Sequence, residues 1–129
     1  MKQLLLLALV IVFSVSAIKL YTRHDADFRK LSAEEAKARL DSGDPVVLLD
    51  VRTEAEFAEG HIPGAVCLPL DALADKAAQV LPDKSAKILV YCHSGACSAK
   101  AVRKLASLGY THAADFGGIQ SWPYGTTQE

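Results

Sequence analysis

The sequence contains only three cysteines, Cys67, Cys92 and Cys97. That number is too small for a disulfide scaffold, the framework that small secreted domains use when they lack a large core. Because three is odd, at least one thiol stays free unless it pairs with another chain. A free thiol kept in an oxidising compartment calls for a chemical explanation, so the cysteines are the first candidates for function.

The chain also lacks an excess of basic residues. Its 14 Lys and Arg residues face 15 Asp and Glu residues, which gives a formal net charge of −1. A nucleic-acid binder normally carries a basic excess, so we expect no nucleic-acid partner. Half of the 129 residues are apolar, and this length suffices for one compact domain but not for two with separate cores. There is no internal repeat and no low-complexity tract, and we expect a monomer.

Residues 1–17 have the pattern of a targeting segment. Lys2 supplies a positive charge, residues 4–13 form an unbroken apolar run, and small side chains precede a possible cut after Ala17. This pattern predicts a secretory signal peptide. The alternative is an uncleaved membrane anchor, although the apolar stretch 4–18 is shorter than the roughly 20 residues that span a bilayer. Both interpretations place the domain outside the cytoplasm, in the periplasm or cell envelope, with membrane contact only through this segment.

The remaining chain divides into three parts. Residues 18–30 are a lead segment that ends in a possible first strand at 27–30. Residues 31–125 form the domain, and residues 126–129 are a tail.

Within the domain, predicted strands and helices alternate. Two S/T-x-x-E capping boxes, beginning at Ser32 and Thr53, each mark a helix start. Runs rich in branched apolar residues predict strands buried on both faces. Strands that alternate with helices imply right-handed crossovers and a mainly parallel sheet covered on both sides. The other predicted strands cover 46–51, 65–68, 87–91 and 111–115, and the other predicted helices cover 70–80 and 98–108.

Cys92 stands between a predicted strand and the helix that follows it. In open α/β sheets, ligands bind beyond the carboxyl ends of the strands. A loop in this position turns its backbone N–H groups inward and forms an anion site, which favours the reactive thiolate form of a cysteine inside it. Gly95 allows the tight turn that such a loop needs, and the same donors suit the anionic outer sulfur of a persulfide. The alternative is a buried structural cysteine at a strand end. The candidate substrate-binding residues are His93, Ser94, Gly95, Ala96, Cys97 and Ser98.

Several short motifs follow one another along residues 31–124. They are Asp50-Val51-Arg52, Gly60-His61-Ile62-Pro63-Gly64-Ala65, Leu89-Val90-Tyr91-Cys92 and Gly117-Gly118-Ile119. Together they resemble the signatures of rhodanese-like domains, and motifs in register are a strong signal where one alone is weak. The resemblance implies an α/β fold, a three-layer sandwich around a five-stranded parallel sheet.

The same resemblance implies a reaction. Cys92 is then the nucleophile that accepts a sulfane sulfur from a donor such as thiosulfate and passes it, as a persulfide, to a thiol or cyanide acceptor. No cofactor is expected. Asp50 and Arg52 resemble family residues that brace the active-site loop. His61 lies in the family's Gly-His-Ile turn, where a structural role is expected.

At one position the chain departs from the family pattern. Many rhodaneses carry arginine at the sixth loop position, where it helps to bind anionic thiosulfate, whereas this chain has Cys97. The fixed bidentate cation is therefore missing, and His93, Lys100 and Arg103 are candidates to supply positive charge. Loop length separates the chain from thiol phosphatases, because Ser98 stands where those enzymes need arginine.

Two other functions stay open at this point. Cys97 could attack a persulfide or sulfenate on Cys92 and close a strained disulfide, which would make the protein a thiol redox protein. Without the loop arginine, the domain could also be a non-catalytic module that carries or senses sulfide. A metal site is not expected, since near-adjacent residues such as Cys92, His93 and Cys97 rarely converge on one ion. Cys67, in a short apolar stretch, is expected in the core.

Overall fold

The computed structural model describes residues 30–129. The predicted targeting segment and all but the last residue of the lead segment lie outside that range. Within residues 30–129, no helix has the length and apolar character needed to cross a bilayer. In chain order the elements are α1 (Ala33–Asp41), β1 (Val47–Asp50), α2 (Glu54–Glu59), β2 (Val66–Cys67), α3 (Leu73–Val80), β3 (Ile88–Cys92), α4 (Ala96–Ser107) and β4 (Ala113–Gly118), with short 3-10 helices at Leu70–Ala72 and Ile119–Ser121.

The strands form one parallel sheet in the order β2-β1-β3-β4. The described part of the chain therefore has four strands and not the five that were expected. The fifth strand was predicted at 27–30, and of that stretch only Lys30 is described. Lys30 makes a single parallel bridge with Asp115, and residues 27–29 lie outside the described range.

Both faces of the sheet are covered by helices, which gives the expected three layers. Successive residues of a strand point to opposite faces. In β1, Leu49 packs in a cluster with α3 and α4, whereas Leu48 packs in a second cluster with α1. All five residues of β3 are buried, which explains their unbroken apolar pattern. This packing fixes the carboxyl end of β3, where Cys92 lies.

Ser32 and Thr53 cap the two helices whose starts they predicted. The Ser32 and Thr53 hydroxyl oxygens accept hydrogen bonds from the backbone N–H groups of Glu35 and Glu56, at 3.1 Å and 3.2 Å. These bonds satisfy donors that have no partner inside the helix, and so they fix where α1 and α2 begin.

Two element boundaries differ from the prediction near the site. The helix expected at 98–108 begins at Ala96, so the loop after Cys92 is only three residues long. The strand expected to end at Asp115 continues to Gly118, which pairs with Cys92 after an irregularity in register. Glycine is a poor strand former, so only this tertiary pairing extends β4.

Residues 126–129, predicted as a tail, lie against the domain. Thr127 and His61 exchange two backbone hydrogen bonds of 2.8 Å. The His61 ring is buried, stacks on Phe57 with centroids 3.7 Å apart, and places Nδ1 2.8 Å from the Phe57 carbonyl oxygen. These contacts give His61 a structural position in the turn.

Candidate active site

The site is a short loop between β3 and α4, at the carboxyl edge of the sheet. Cys92 ends β3 and is 2 % exposed. The backbone N–H of Gly95 donates a hydrogen bond to its sulfur at 3.0 Å. Gly95 has φ +102°, in the left-handed region that favours glycine. The loop thus turns a backbone donor onto the buried sulfur, as the strand–loop–helix pattern predicted.

The end of β4 packs directly against this loop. A Cβ on Gly118 would overlap the carbonyl group of His93, and a Cβ on Gly95 would come within 3.4 Å of Gly117 Cα. A side chain at Gly118 would therefore push the loop away. The pair of glycines is needed for close approach of two backbones, one of which carries Cys92.

A buried polar group lies beneath the loop. Ser98, in the first turns of α4, is fully buried, and its hydroxyl donates to Asp115 Oδ1 at 2.6 Å. The hydroxyl oxygen also lies 2.9 Å from the carbonyl oxygen of Gly95. Asp115 Oδ1 accepts a second hydrogen bond, from the Gly117 N–H, at 2.7 Å.

Sequence reasoning treated Ser98 as a candidate substrate-binding residue and did not single out Asp115. In the structure, the Ser98 hydroxyl faces Asp115 and not the open side of the loop. One signal in the sequence could have found Asp115: it precedes a Gly-Gly pair at the end of a strand, on the sheet edge where ligands bind.

The rim of the loop is exposed and polar. His93 and Ser94 are exposed, and His93 Nε2 lies 3.0 Å from the side-chain nitrogen of Gln120. Cys97 is exposed in the first turn of α4, and both Cys97 and Cys92 are free thiols. Of these two thiols, Cys92 is buried and Cys97 is open to solvent.

Asp50 and Arg52 lie at the neighbouring strand end as a buried ion pair. Arg52 Nη2 and Asp50 Oδ2 are 2.8 Å apart, and the same Nη2 donates to the carbonyl of Gly60 at 2.7 Å. Burial works against the charged guanidinium, but hydrogen bonds and the charge of Asp50 prevail and raise the pKa of Arg52. The guanidinium of Arg52 therefore stays charged.

The Asp50–Arg52 pair contacts the turn at Gly60 and the ring of Tyr91, the residue before Cys92. Its side-chain hydrogen bonds do not reach the 93–95 loop. The Arg52 guanidinium lies 5.9 Å from the centre of the Tyr91 ring. The Tyr91 hydroxyl accepts a hydrogen bond from the Ile62 N–H at 3.1 Å. Burial and the proximity of Asp50 raise the pKa of Tyr91 far above its ordinary value, so the hydroxyl stays neutral.

Cys67 is only partly buried, on the outer strand β2. Its sulfur lies 3.9 Å from the Arg52 carbonyl oxygen. Burial, followed by the negative charges of Asp50 and Glu54, raises the pKa of the Cys67 thiol. A thiol that stays protonated is a poor nucleophile.

Among residues 30–129, no three His, Cys, Asp or Glu side chains converge as a metal site requires.

Comparison with known proteins supports the same family. Residues 32–123 match the rhodanese-like domain. The thiosulfate sulfurtransferase PspE of Escherichia coli is 35% identical over 72 residues, which cover 56% of this chain and 69% of that protein. A sulfurtransferase of Allochromatium vinosum is 34% identical over 94 residues, covering 72% of this chain and 86% of its own.

Solved structures agree with this assignment. A rhodanese-related protein from Thermoplasma volcanium superposes with a TM-score of 0.68 at 30% identity, covering 79% of this chain and 100% of that one. A rhodanese from E. coli, determined with anions, gives a TM-score of 0.61 at 30% identity, covering 65% and 99%. The match to the rhodanese-like domain over residues 32–123 includes both the Cys92 loop and the glycines that pack on it. By fold, sequence and the arrangement of its loop, this chain belongs to the rhodanese-like family of sulfurtransferases.

Proposed function

We propose that this protein is a sulfurtransferase of the thiosulfate type in which Cys92 carries the sulfane sulfur as a persulfide. The observation that carries the proposal is the 3.0 Å hydrogen bond from the Gly95 N–H to the Cys92 sulfur. A fixed backbone donor at the start of a helix stabilises negative charge on that sulfur at no cost of reorganisation. In the thiolate the charge lies on the Cys92 sulfur itself, and in the persulfide it lies on the outer sulfur bonded to it.

The proposed reaction has two displacement steps. The Cys92 thiolate attacks the outer sulfur of thiosulfate, the S–S bond of thiosulfate breaks, and sulfite leaves with the bonding electrons. Cyanide or a thiolate acceptor then attacks the outer sulfur of the persulfide, and the Cys92 thiolate is released. Atoms and electrons balance without a cofactor.

Relatives supply independent support for an anionic donor. PspE is named a thiosulfate sulfurtransferase, and the similar E. coli rhodanese was solved with anions. Both fit a loop built to hold a negatively charged sulfur.

Intact mass spectrometry of the soluble domain tests the proposal. After incubation with thiosulfate, we expect a gain of one sulfur atom, and after cyanide we expect loss of that sulfur together with formation of thiocyanate. No gain would contradict the proposal. A loss of two hydrogens would indicate the Cys92–Cys97 redox function, and a stable sulfur that cyanide cannot remove would indicate a sulfide carrier or sensor.

We expect Cys97 to limit the affinity of the protein for thiosulfate. Because this exposed residue occupies the loop position at which many rhodaneses carry arginine, Cys97→Arg should supply a bidentate grip on thiosulfate. We expect its KM for thiosulfate to fall about tenfold, with Cys92 still the nucleophile.

Cys97→Ser is the matched control, since it removes the thiol without adding charge, and it should leave the KM close to that of the parent protein. A stable Cys92–Cys97 disulfide in the isolated protein, together with an unchanged KM in the arginine variant, would replace this proposal by the redox function.

We also propose that the protein acts outside the cytoplasm, exported or anchored by residues 1–17. Their charged start, apolar middle and small-residue exit support cleavage after Ala17. N-terminal sequencing of envelope fractions should then give Ile18. An intact Met1 in an integral-membrane fraction would indicate an anchor, and a full-length soluble cytoplasmic protein would contradict both.

A further inference from the structure

Asp115 joins the two backbones that form the loop site. It is 5 % exposed, and a single oxygen, Oδ1, accepts from the Ser98 hydroxyl on α4 at 2.6 Å and from the Gly117 N–H on β4 at 2.7 Å. One carboxylate oxygen thus ties the start of α4 to the end of β4, the element that follows it in the chain.

The connection continues from Ser98 to the sulfur. The single hydrogen of the Ser98 hydroxyl is shared between Asp115 Oδ1 and the Gly95 carbonyl oxygen, which lies 2.9 Å from the Ser98 oxygen. The N–H of the same Gly95 donates to Cys92. On the other side, Gly117 packs against Gly95. Gly95, whose backbone conformation other residues rarely adopt, is therefore held from two directions, and both lead to Asp115.

We propose that Asp115, acting through Ser98, is a positioning residue that holds the Gly95 N–H on the Cys92 sulfur. The effect of Asp115 on sulfur transfer rests on the proposed function. Its effect on the reactivity of the Cys92 thiol does not depend on that function. A backbone donor stabilises an anionic sulfur only while its direction is fixed, and a satisfied buried network supplies that rigidity.

The negative charge of Asp115 and its role as a hydrogen-bond acceptor predict opposite effects of a substitution on the reaction rate of Cys92. A carboxylate near a thiolate repels it, so its charge alone would make Cys92 react faster once Asp115 is replaced. Positioning predicts slower reaction when the acceptor is lost. Asp115→Leu removes both the charge and the acceptor, whereas Asp115→Asn removes the charge and keeps an oxygen that can accept both hydrogen bonds.

The experiment measures the alkylation rate of Cys92 by iodoacetamide at fixed pH in the full chain. Peptide mass spectrometry reports Cys97 in the same sample, and this exposed thiol serves as an internal reference. We expect the Cys92 to Cys97 rate ratio to fall about tenfold in Asp115→Leu and in Ser98→Ala. Asp115→Asn should react several-fold faster than Asp115→Leu. The double variant Ser98→Ala/Asp115→Leu should fall little further than either single one, because the two residues act as a unit.

Two results would overturn the proposal. One is a rate ratio within about twofold of the parent protein in both Asp115→Leu and Ser98→Ala. The other is an Asp115→Asn variant as slow as Asp115→Leu, since the slowing could then not be assigned to loss of the acceptor oxygen that Asp115→Asn keeps. If Asp115→Leu does not fold, as thermal unfolding would reveal, the Ser98→Ala ratio decides alone. A parent protein that takes no sulfur from thiosulfate, yet shows these alkylation differences, would overturn the proposed function and leave the positioning role in place.

Discussion

Replacing Cys92 with serine should abolish sulfur transfer from thiosulfate to cyanide and remove the sulfur mass gain. Serine has almost the same size and keeps an acceptor for the Gly95 N–H, so the 3.0 Å hydrogen bond has a counterpart. Its hydroxyl stays protonated at neutral pH and cannot carry a persulfide. We expect turnover to fall at least about a thousandfold, with thermal unfolding nearly unchanged because the buried volume is preserved.

Cys67→Ser is the matched control for this experiment. The Cys67 thiol has a raised pKa and lies on the outer strand β2, so its loss should leave turnover within about twofold and cost on the order of 1 kcal/mol of stability. A Cys92→Ser protein that keeps most of its activity would remove Cys92 as the nucleophile. A Cys67→Ser protein that loses activity while it remains folded would indicate that Cys67 takes part in the reaction, contrary to our assignment.

The features of this site that were predictable from the sequence are local ones. The position of Cys92 between a buried strand and a helix, with a glycine three residues on, was enough to predict a loop that turns backbone donors inward. The capping boxes at Ser32 and Thr53 predicted where two helices begin, because those hydrogen bonds span only three residues. Each of these signals depends on neighbours in the chain.

The features that escaped prediction depend on contacts between distant segments. β4 was expected to end at Asp115 because glycines seldom continue a strand, yet Gly117 and Gly118 are held by the Cys92 loop. Ser98 was grouped with the substrate-binding residues because its place after the Cys92 loop was visible in the sequence and its partner was not. Only the packing of α4 on β4 shows that its hydroxyl faces Asp115.

The largest stability effect should come from the buried ion pair of Asp50 and Arg52. Their side chains are 0% and 7% exposed, and their closest N–O distance is 2.8 Å. Removing one partner of such a pair leaves the other charge without solvent or counter-ion. The chain offers a matched surface pair, Lys37 and Asp41, at 2.7 Å but with side chains 35% and 59% exposed. The two pairs have similar closest N–O distances and differ in burial.

We therefore expect Arg52→Leu to lower the free energy of unfolding by roughly 3–5 kcal/mol, whereas Lys37→Leu should cost less than about 1 kcal/mol. Adding Asp50→Asn to Arg52→Leu should recover part of the loss, because it removes the unpaired buried charge while the amide still accepts from the backbone N–H of residue 52. Urea unfolding at pH 7 measures all three variants. Equal losses in Arg52→Leu and Lys37→Leu would contradict this explanation, and so would a double variant less stable than Arg52→Leu alone. Either result would show that an unpaired buried charge is not the cause of the loss in Arg52→Leu.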